Sequence, residues 1–323
     1  MNTYNPLRFA AALGASVAAA MLMNYTPAMA QEPSRLPDSV MESAGAYSLY
    51  MRSAGDISAR FTDGPSVAKS LKVGAAYEPK QLARGAVGFA AIVALQDDRY
   101  VREVRQLAER HGGAEAFAAK LASNPYYAAT VPGSERTAMV VARALGAEGE
   151  RVRQVGARVK LAAYEVQRED WSKADVTGRT QRLADAKALS AKPLRSDGRE
   201  LALALNGVGE PGAFRLPVST AKPQMSPVVA RGLALAALAA MGEVDDAAMI
   251  EQISSDPECN TCLRMSKLNL FQCLAVSKPW YEDVFCLGQH VLIDTGECIY
   301  AASGSPRTAM ASLDASAARR RDE

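Results

Sequence analysis

Apolar residues recur at three- and four-residue intervals along most of the chain, the spacing of helices with one buried face. The first such stretch is expected to be capped by Asp38 and to run to about Phe61, with Val40, Ala44, Tyr47, Tyr50, Met51 and Ile57 near one face. Asp63-Gly64-Pro65 breaks it, and Ser66 opens a second helix carrying Val67, Leu71 and Val73 to about Tyr77. Glu78-Pro79 opens a third, reaching Leu95. Its small residues Gly85, Gly88, Ala90 and Ala91 would admit another helix at close range. Asp97 caps a helix from Asp98 to Arg110, stopped by His111-Gly112-Gly113, and a short one follows from Ala114 to Ala122. Ser134 starts a helix to about Leu145 that Gly146 and Gly149 are expected to interrupt. A well-patterned helix then resumes from Glu150 to Gln167, and a weaker one spans Asp175 to Leu189.

The pattern lapses over residues 190–224, which hold Pro193, Pro211, Pro217 and Pro223 among several glycines. This reads as an irregular connector between a helical N-terminal domain, 31–189, and a helical Cys-rich region, 225–302. Ser226-Pro227 opens a helix to Met241, closed by Gly242, and another spans Val244 to about Ser254. Two helices follow around a turn at Ser277-Lys278-Pro279: Cys259 to Ala275, and Trp280 to Leu292, ended by Asp294-Thr295-Gly296. Residues 303–323 are small and polar with a run of arginines, the composition of a disordered tail. The expected fold class is all-α: a multi-helix body with a C-terminal disulfide-stapled α-hairpin.

Composition supports this class. Hydrophobic residues make up 49% of the 323, but aromatics only 6%, and alanine supplies much of the remainder. Alanine favours helix and lets helices approach, while burying little area per residue. The first 30 residues read as a signal peptide: Arg8, an apolar run from Phe9 to Met23, and Ala28-Met29-Ala30 before Gln31. An uncleaved N-terminal anchor is the competing reading. No later apolar run is long enough to span a bilayer, so the mature chain is expected to lack a transmembrane segment and to be periplasmic or secreted. A formal net charge of +2 provides no general field for nucleic acid.

Few motifs carry chemistry. Gly207-Val208-Gly209-Glu210-Pro211-Gly212 matches GxGxxG, but Pro211, Gly212 and Pro217 oppose the helix that a dinucleotide site needs. His111 follows a helix end, and His290 lies among the cysteines. All five cysteines fall between Cys259 and Cys298. Cys259-Asn260-Thr261-Cys262 is a CxxC. Leu263 stands where a c-type haem site needs His, and a zinc site would need further ligands from the remaining cysteines or His290. As a redox pair it has local support, since Asp256 and Pro257 would place Cys259 in the first turn of a helix, where a thiol pKa is lowered.

The stronger reading is structural. Cys273 and Cys286 lie equidistant from the Ser277-Lys278-Pro279 turn, and so do Cys262 and Cys298. Cys262 and Cys273 are 11 residues apart, close to three helical turns, and so share a face. Nested bridges Cys273–Cys286 and Cys262–Cys298 follow, with Cys259–Cys298 as a competing pair and Cys259 as the candidate reactive thiol. The spacing resembles that of twin CX9C proteins, helical hairpins closed by two disulfides, over about 40 residues. Ten and eleven intervening residues replace nine, so the resemblance is one of geometry and implies no function. No catalytic constellation, metal site or cofactor is marked. The expectation is an exported periplasmic protein with a structural or interaction role and a protein partner in the cell envelope. A thiol–disulfide activity of Cys259 and Cys262 is the alternative.

Overall fold

The computed structural model describes residues 35–196, 198, 201 and 225–305. The expected signal peptide, most of the 190–224 connector with its GxGxxG match, and the tail from residue 306 lie outside the described residues. Helices α1 (Asp38–Gly55), α2 (Gly64–Ala75), α3 (Pro79–Leu95), α4 (Asp98–Arg110) and α5 (Ala114–Ser123) follow in order. A 3₁₀ turn, Pro125–Thr130, leads to α6 (Ser134–Val166), α7 (Asp170–Lys173) and α8 (Arg179–Ala191). Beyond the connector come α9 (Pro227–Met241), α10 (Ala247–Ser254) and α11 (Pro257–Val276). The last helix, α12, runs unbroken through three segments: Trp280–Cys286, a π-helical Leu287–Ile293, and Asp294–Ala302. No strand occurs among the described residues; a single antiparallel bridge joins Asp175 to Pro279.

Local chemistry explains most of these boundaries. Asp63 caps α2 by accepting from the Ser66 backbone N–H at 2.8 Å, so the helix opens at Gly64, two residues before the start expected at Ser66. Glu78, Asp97, Ser226, Asp246 and Asp256 cap their helices through side-chain oxygens in the same way. Gly242 closes α9 in the left-handed conformation, at φ 82°. Three expectations need correction. Asp38 is the first residue of α1 rather than its cap, which is Pro37, and the helix ends at Gly55 rather than near Phe61. Gly178 precedes α8 instead of lying inside it. Most consequentially, Gly146 and Gly149 do not interrupt anything, and α6 is one helix of 33 residues.

The core centres on α9, which is buried on every face from Val228 to Ala240 apart from the partly covered Arg231. Helix α3 lies against it, and α1 lies against α3. Small residues set these distances. A Cβ on Gly232 would sit 2.4 Å from the Ala90 Cβ, and one on Gly85 would sit 2.3 Å from the Ser43 carbonyl oxygen. Alanine-rich helices bury little area each, so such close packing is what supplies dense dispersion contact. Four buried tyrosines fill the larger gaps. Tyr100 donates to the Leu233 carbonyl at 2.9 Å, tying α4 to α9 across the connector. Helices before and after the connector thus share one core.

Candidate functional site

The hairpin of α11 and α12 holds every cysteine, and its geometry begins at the α11 cap. Asp256 accepts from the Cys259 backbone N–H at 2.8 Å, with Pro257 in the first helical position. Cys259 is only 4% exposed. Its thiol is pushed up to about 12, first by burial and then by the neighbouring Asp256 charge. The expected lowering by the helix N-terminus is thus reversed: dipole effects are about 1 kcal/mol and are overcome by desolvation.

The other four cysteines form nested disulfides, Cys262–Cys298 and Cys273–Cys286, with Cα–Cα separations of 5.6 and 5.7 Å. The competing Cys259–Cys298 pair is not formed, and Cys259 is the free cysteine. With Cys262 bonded to Cys298, the CxxC is divided between a staple and a buried thiol. Sulfur ligands for zinc are consumed in the same way.

The pairing raises a phase problem that the π segment resolves. Cys262 and Cys273 are 11 residues apart on α11, about 20° beyond three full turns. Cys286 and Cys298 are 12 apart on α12, which in a pure α-helix would displace them by about 120°. An i→i+5 turn holds about one residue more than an α-turn, so the π-helical Leu287–Ile293 absorbs the excess. Both sulfurs of α12 therefore face α11.

The same adjustment aligns the opposite face of α12 with α6. Gly149 and Gly156 are seven residues apart on α6, while Gly288 and Gly296 are eight apart on α12. A Cβ on Gly149 would lie 2.7 Å from the Gly296 carbonyl oxygen, and one on Gly296 2.7 Å from the Gly149 carbonyl oxygen. Gly156 and Gly288 meet reciprocally one crossing further along, at 2.9 and 3.1 Å. Gly296, expected to end the helix, is thus a contact residue inside it.

Around the hairpin turn, α8 supplies cations to the C-terminal carbonyls of α11. Arg179 Nε donates to the Ser277 carbonyl at 2.8 Å, and Arg182 Nη2 donates to the Leu274 carbonyl. Arg182 Nη1 pairs with Asp283, which is fully buried and also accepts from Ser277 Oγ at 2.9 Å. Burial raises the Asp283 carboxyl, and the Arg182 charge opposes that rise. Deeper in, Tyr77 Oη, Ser266 Oγ and Thr295 Oγ1 form a closed set of hydroxyls at 2.9–3.2 Å, joining α3's approach loop to both hairpin arms. Ser266 Oγ donates its proton to the His290 carbonyl at 2.7 Å, and so accepts within the hydroxyl set.

His290 sits in the π segment. Its Nδ1 is 2.9 Å from Asp294 Oδ2, and Gln289 Nε2 donates to Asp294 Oδ1 at 2.9 Å. Burial alone would raise the Asp294 carboxyl, but the bonds with His290 and Gln289 outweigh it and hold the group below its usual range. His111, by contrast, caps α4 beside the Phe117 and Tyr127 rings, far in role from the cysteines.

The surface of this unit carries several exposed apolar side chains. Met265, Leu268 and Val276 on the outward stripe of α11 are 50%, 47% and 75% exposed, and Leu161 and Tyr164 on α6 are 42% and 48% exposed. A groove of about 390 Å³ lies between α6 and the hairpin turn, lined by Tyr164, Cys273, Val276, Tyr281 and Phe285. Sequence periodicity did not single out these residues, because an apolar helix position such as Leu268 looks like core until the partner helices are known. Fold and site together define an all-α protein with a doubly stapled C-terminal hairpin. No protein family, curated protein or solved structure was found to match the chain. Among the described residues no helix is long and apolar enough to cross a membrane.

Proposed function

We propose that this is an exported protein of the bacterial cell envelope that works by docking another protein on the stapled hairpin. The observation that carries the reading is the exposed apolar groove beside Cys273, flanked by Tyr164 and Val276. Contiguous apolar surface of this kind marks interaction sites, and aromatic side chains supply contact area at low entropic cost. The two disulfides and the α6 crossing hold the walls of the groove in place before any partner arrives, which lowers the ordering cost of binding. Disulfides also favour an oxidising compartment, which agrees with a leader ending at Ala30. The thiol-exchange alternative is weakened by the burial of Cys259 and the commitment of Cys262.

Two measurements test the reading. A photo-reactive residue at Val276 or Tyr164 is expected to give a discrete cross-linked species in intact cells, and one at Arg102 on α4 is expected to give none. Equal labelling from both faces, or none from either, would end the docking claim. Fractionation with N-terminal sequencing is expected to recover a periplasmic chain beginning at Gln31. A full-length cytoplasmic chain would remove the export claim while leaving the docking result to stand separately.

A further inference from the structure

A second cavity lies away from the docking groove, between α2, the loop before α8, α8 itself and the first turn of α12. It encloses about 290 Å³, room for about ten water-sized groups at ~30 Å³ each. Part of its lining is aliphatic: Leu71, Val176 and Ala186, all buried. Trp280 also lines it, and a Cβ on Gly64 would lie 2.4 Å from the indole, so the α2 backbone holds that ring at close range. An aromatic ring beside aliphatic side chains accepts the apolar part of a small ligand.

The polar groups carry both signs. On α8, Asp185 accepts from Gln181 Nε2 at 2.7 Å through one oxygen, which leaves its second oxygen and the Gln181 carbonyl oxygen open. Thr177, exposed in the loop before α8, adds a hydroxyl. Lys72 is exposed on α2 with no ion pair among the described residues. Arg182 brings no open charge, since it is paired with the buried Asp283. The open cation and the open carboxylate therefore balance. An anionic ligand would meet Asp185 and a cationic one Lys72, each beside a like charge. A neutral hydroxyl suits both, because it donates to a carboxylate or amide oxygen and accepts from an ammonium.

A pyranose ring combines these features, with a face of C–H groups and a rim of hydroxyls. We infer that the cleft binds an uncharged pyranose bearing a small acyl group, with the ring beside Trp280, the acyl methyl on the aliphatic side chains, and hydroxyls toward Asp185, Gln181 and Lys72. The site is separate from the hairpin groove and does not rest on the docking reading.

N-acetylglucosamine is the probe, titrated by saturation-transfer NMR against the oxidised wild-type chain. The chain has two tryptophans, Trp171 and Trp280, so Trp280 emission in a Trp171→Phe variant is the second readout. Both are expected to show saturable binding of about millimolar strength, ordinary for a small polar ligand. Glucose, which lacks the acetyl methyl, should bind about fourfold more weakly, the size of one buried methyl. Glucuronate and glucosamine, which place one charge of either sign on the glucose frame, should bind no better than glucose. Asp185→Ala should weaken N-acetylglucosamine about tenfold, the size of one charge-assisted contact. Ala68→Phe, which fills the cavity from the half-buried side of α2, should abolish binding while the thermal melt is retained. Should Ala68→Phe fail to fold, Asp185→Ala, at a partly exposed helix position, carries the same test. No saturable binding by either method, or binding undiminished by these variants, would overturn the site. Either charged sugar binding more tightly than glucose, or N-acetylglucosamine binding no better than glucose, would overturn the ligand class.

Discussion

Lys267 is buried on α11, donating to the Ala75 carbonyl at 2.8 Å and lying 3.4 Å from the centre of the Tyr77 ring. No carboxylate pairs with it in the ion pairs described, and burial lowers its pKa well below the usual lysine range. The unfolded chain, with a lysine pKa of about 10.4, therefore binds that proton more readily than the folded one. The sign follows: this group's contribution to stability is most favourable above the unfolded value and declines as pH falls toward the folded one. Lys267→Met, which keeps the length and loses the charge, should raise the melting temperature more at pH 6 than at pH 9. A gain equal at both pH values would show that packing, not charge, is responsible. Cys259 permits a second test at this scale. Iodoacetamide at pH 8 should leave it unmodified in the native chain and modify it promptly once the chain is denatured; rapid native labelling would revive thiol exchange. That Cys259 lacks a partner could be read from the symmetry of the other four about the turn. Its burial could not, because the thiol belongs to a core built largely from helices far away in the sequence.

Most helix starts marked by Asp, Ser and Pro were legible, since a cap acts on its own turn; Asp38 and Asp175 were the exceptions. Glycines were not. Gly149 and Gly296 look like breaks in a one-dimensional pattern, yet each lies inside a helix because another backbone passes within van der Waals range. A glycine that stops a helix and one that admits a neighbour are identical until the neighbour is placed. The eight-residue spacing of Gly288 and Gly296 also looks out of phase unless a π turn intervenes. This sets two effects against each other in Gly149→Ala. Helix propensity favours alanine by about 1 kcal/mol. Overpacking costs about 1–3 kcal/mol, and here the obstacles are backbone atoms of Tyr300 and Gly296, which cannot rotate away. Net destabilisation of about 1–2 kcal/mol is expected in urea titrations. A stabilised variant would mean that α6 and α12 are not in contact as described.

At the scale of the molecule, the all-α class followed from periodicity and alanine content, but the placing of the parts did not. Helix α9 follows a proline-rich stretch and reads as the start of a separate region, whereas it occupies the centre of the core against α3 and α4. Only contacts distant in sequence reveal that, and local pattern carries no trace of them. One consequence is that the staples should support the whole body rather than the hairpin alone. Loop-closure estimates give about 3 kcal/mol for Cys273–Cys286 and about 4 kcal/mol for Cys262–Cys298. Replacing each pair by alanines should lower the midpoint of a single cooperative transition, and more for the outer pair. Two separate transitions would show that the hairpin unfolds independently.

The π segment has a consequence for how this chain tolerates insertion and deletion. Removing one residue from an ordinary helix rotates everything beyond it by about 100°, which in α6 would carry Gly156 away from α12. Within Leu287–Ile293 the chain already holds a surplus residue. Deleting Gln289 should convert the segment to plain α-helix, leaving Cys298 opposite Cys262 and Gly296 opposite Gly149. Peptide mapping of the refolded deletion variant is expected to recover both native disulfides, while deletion of Gln154 from α6 should scramble them or prevent folding. The irregular turn thus gives α12 a length it can lose.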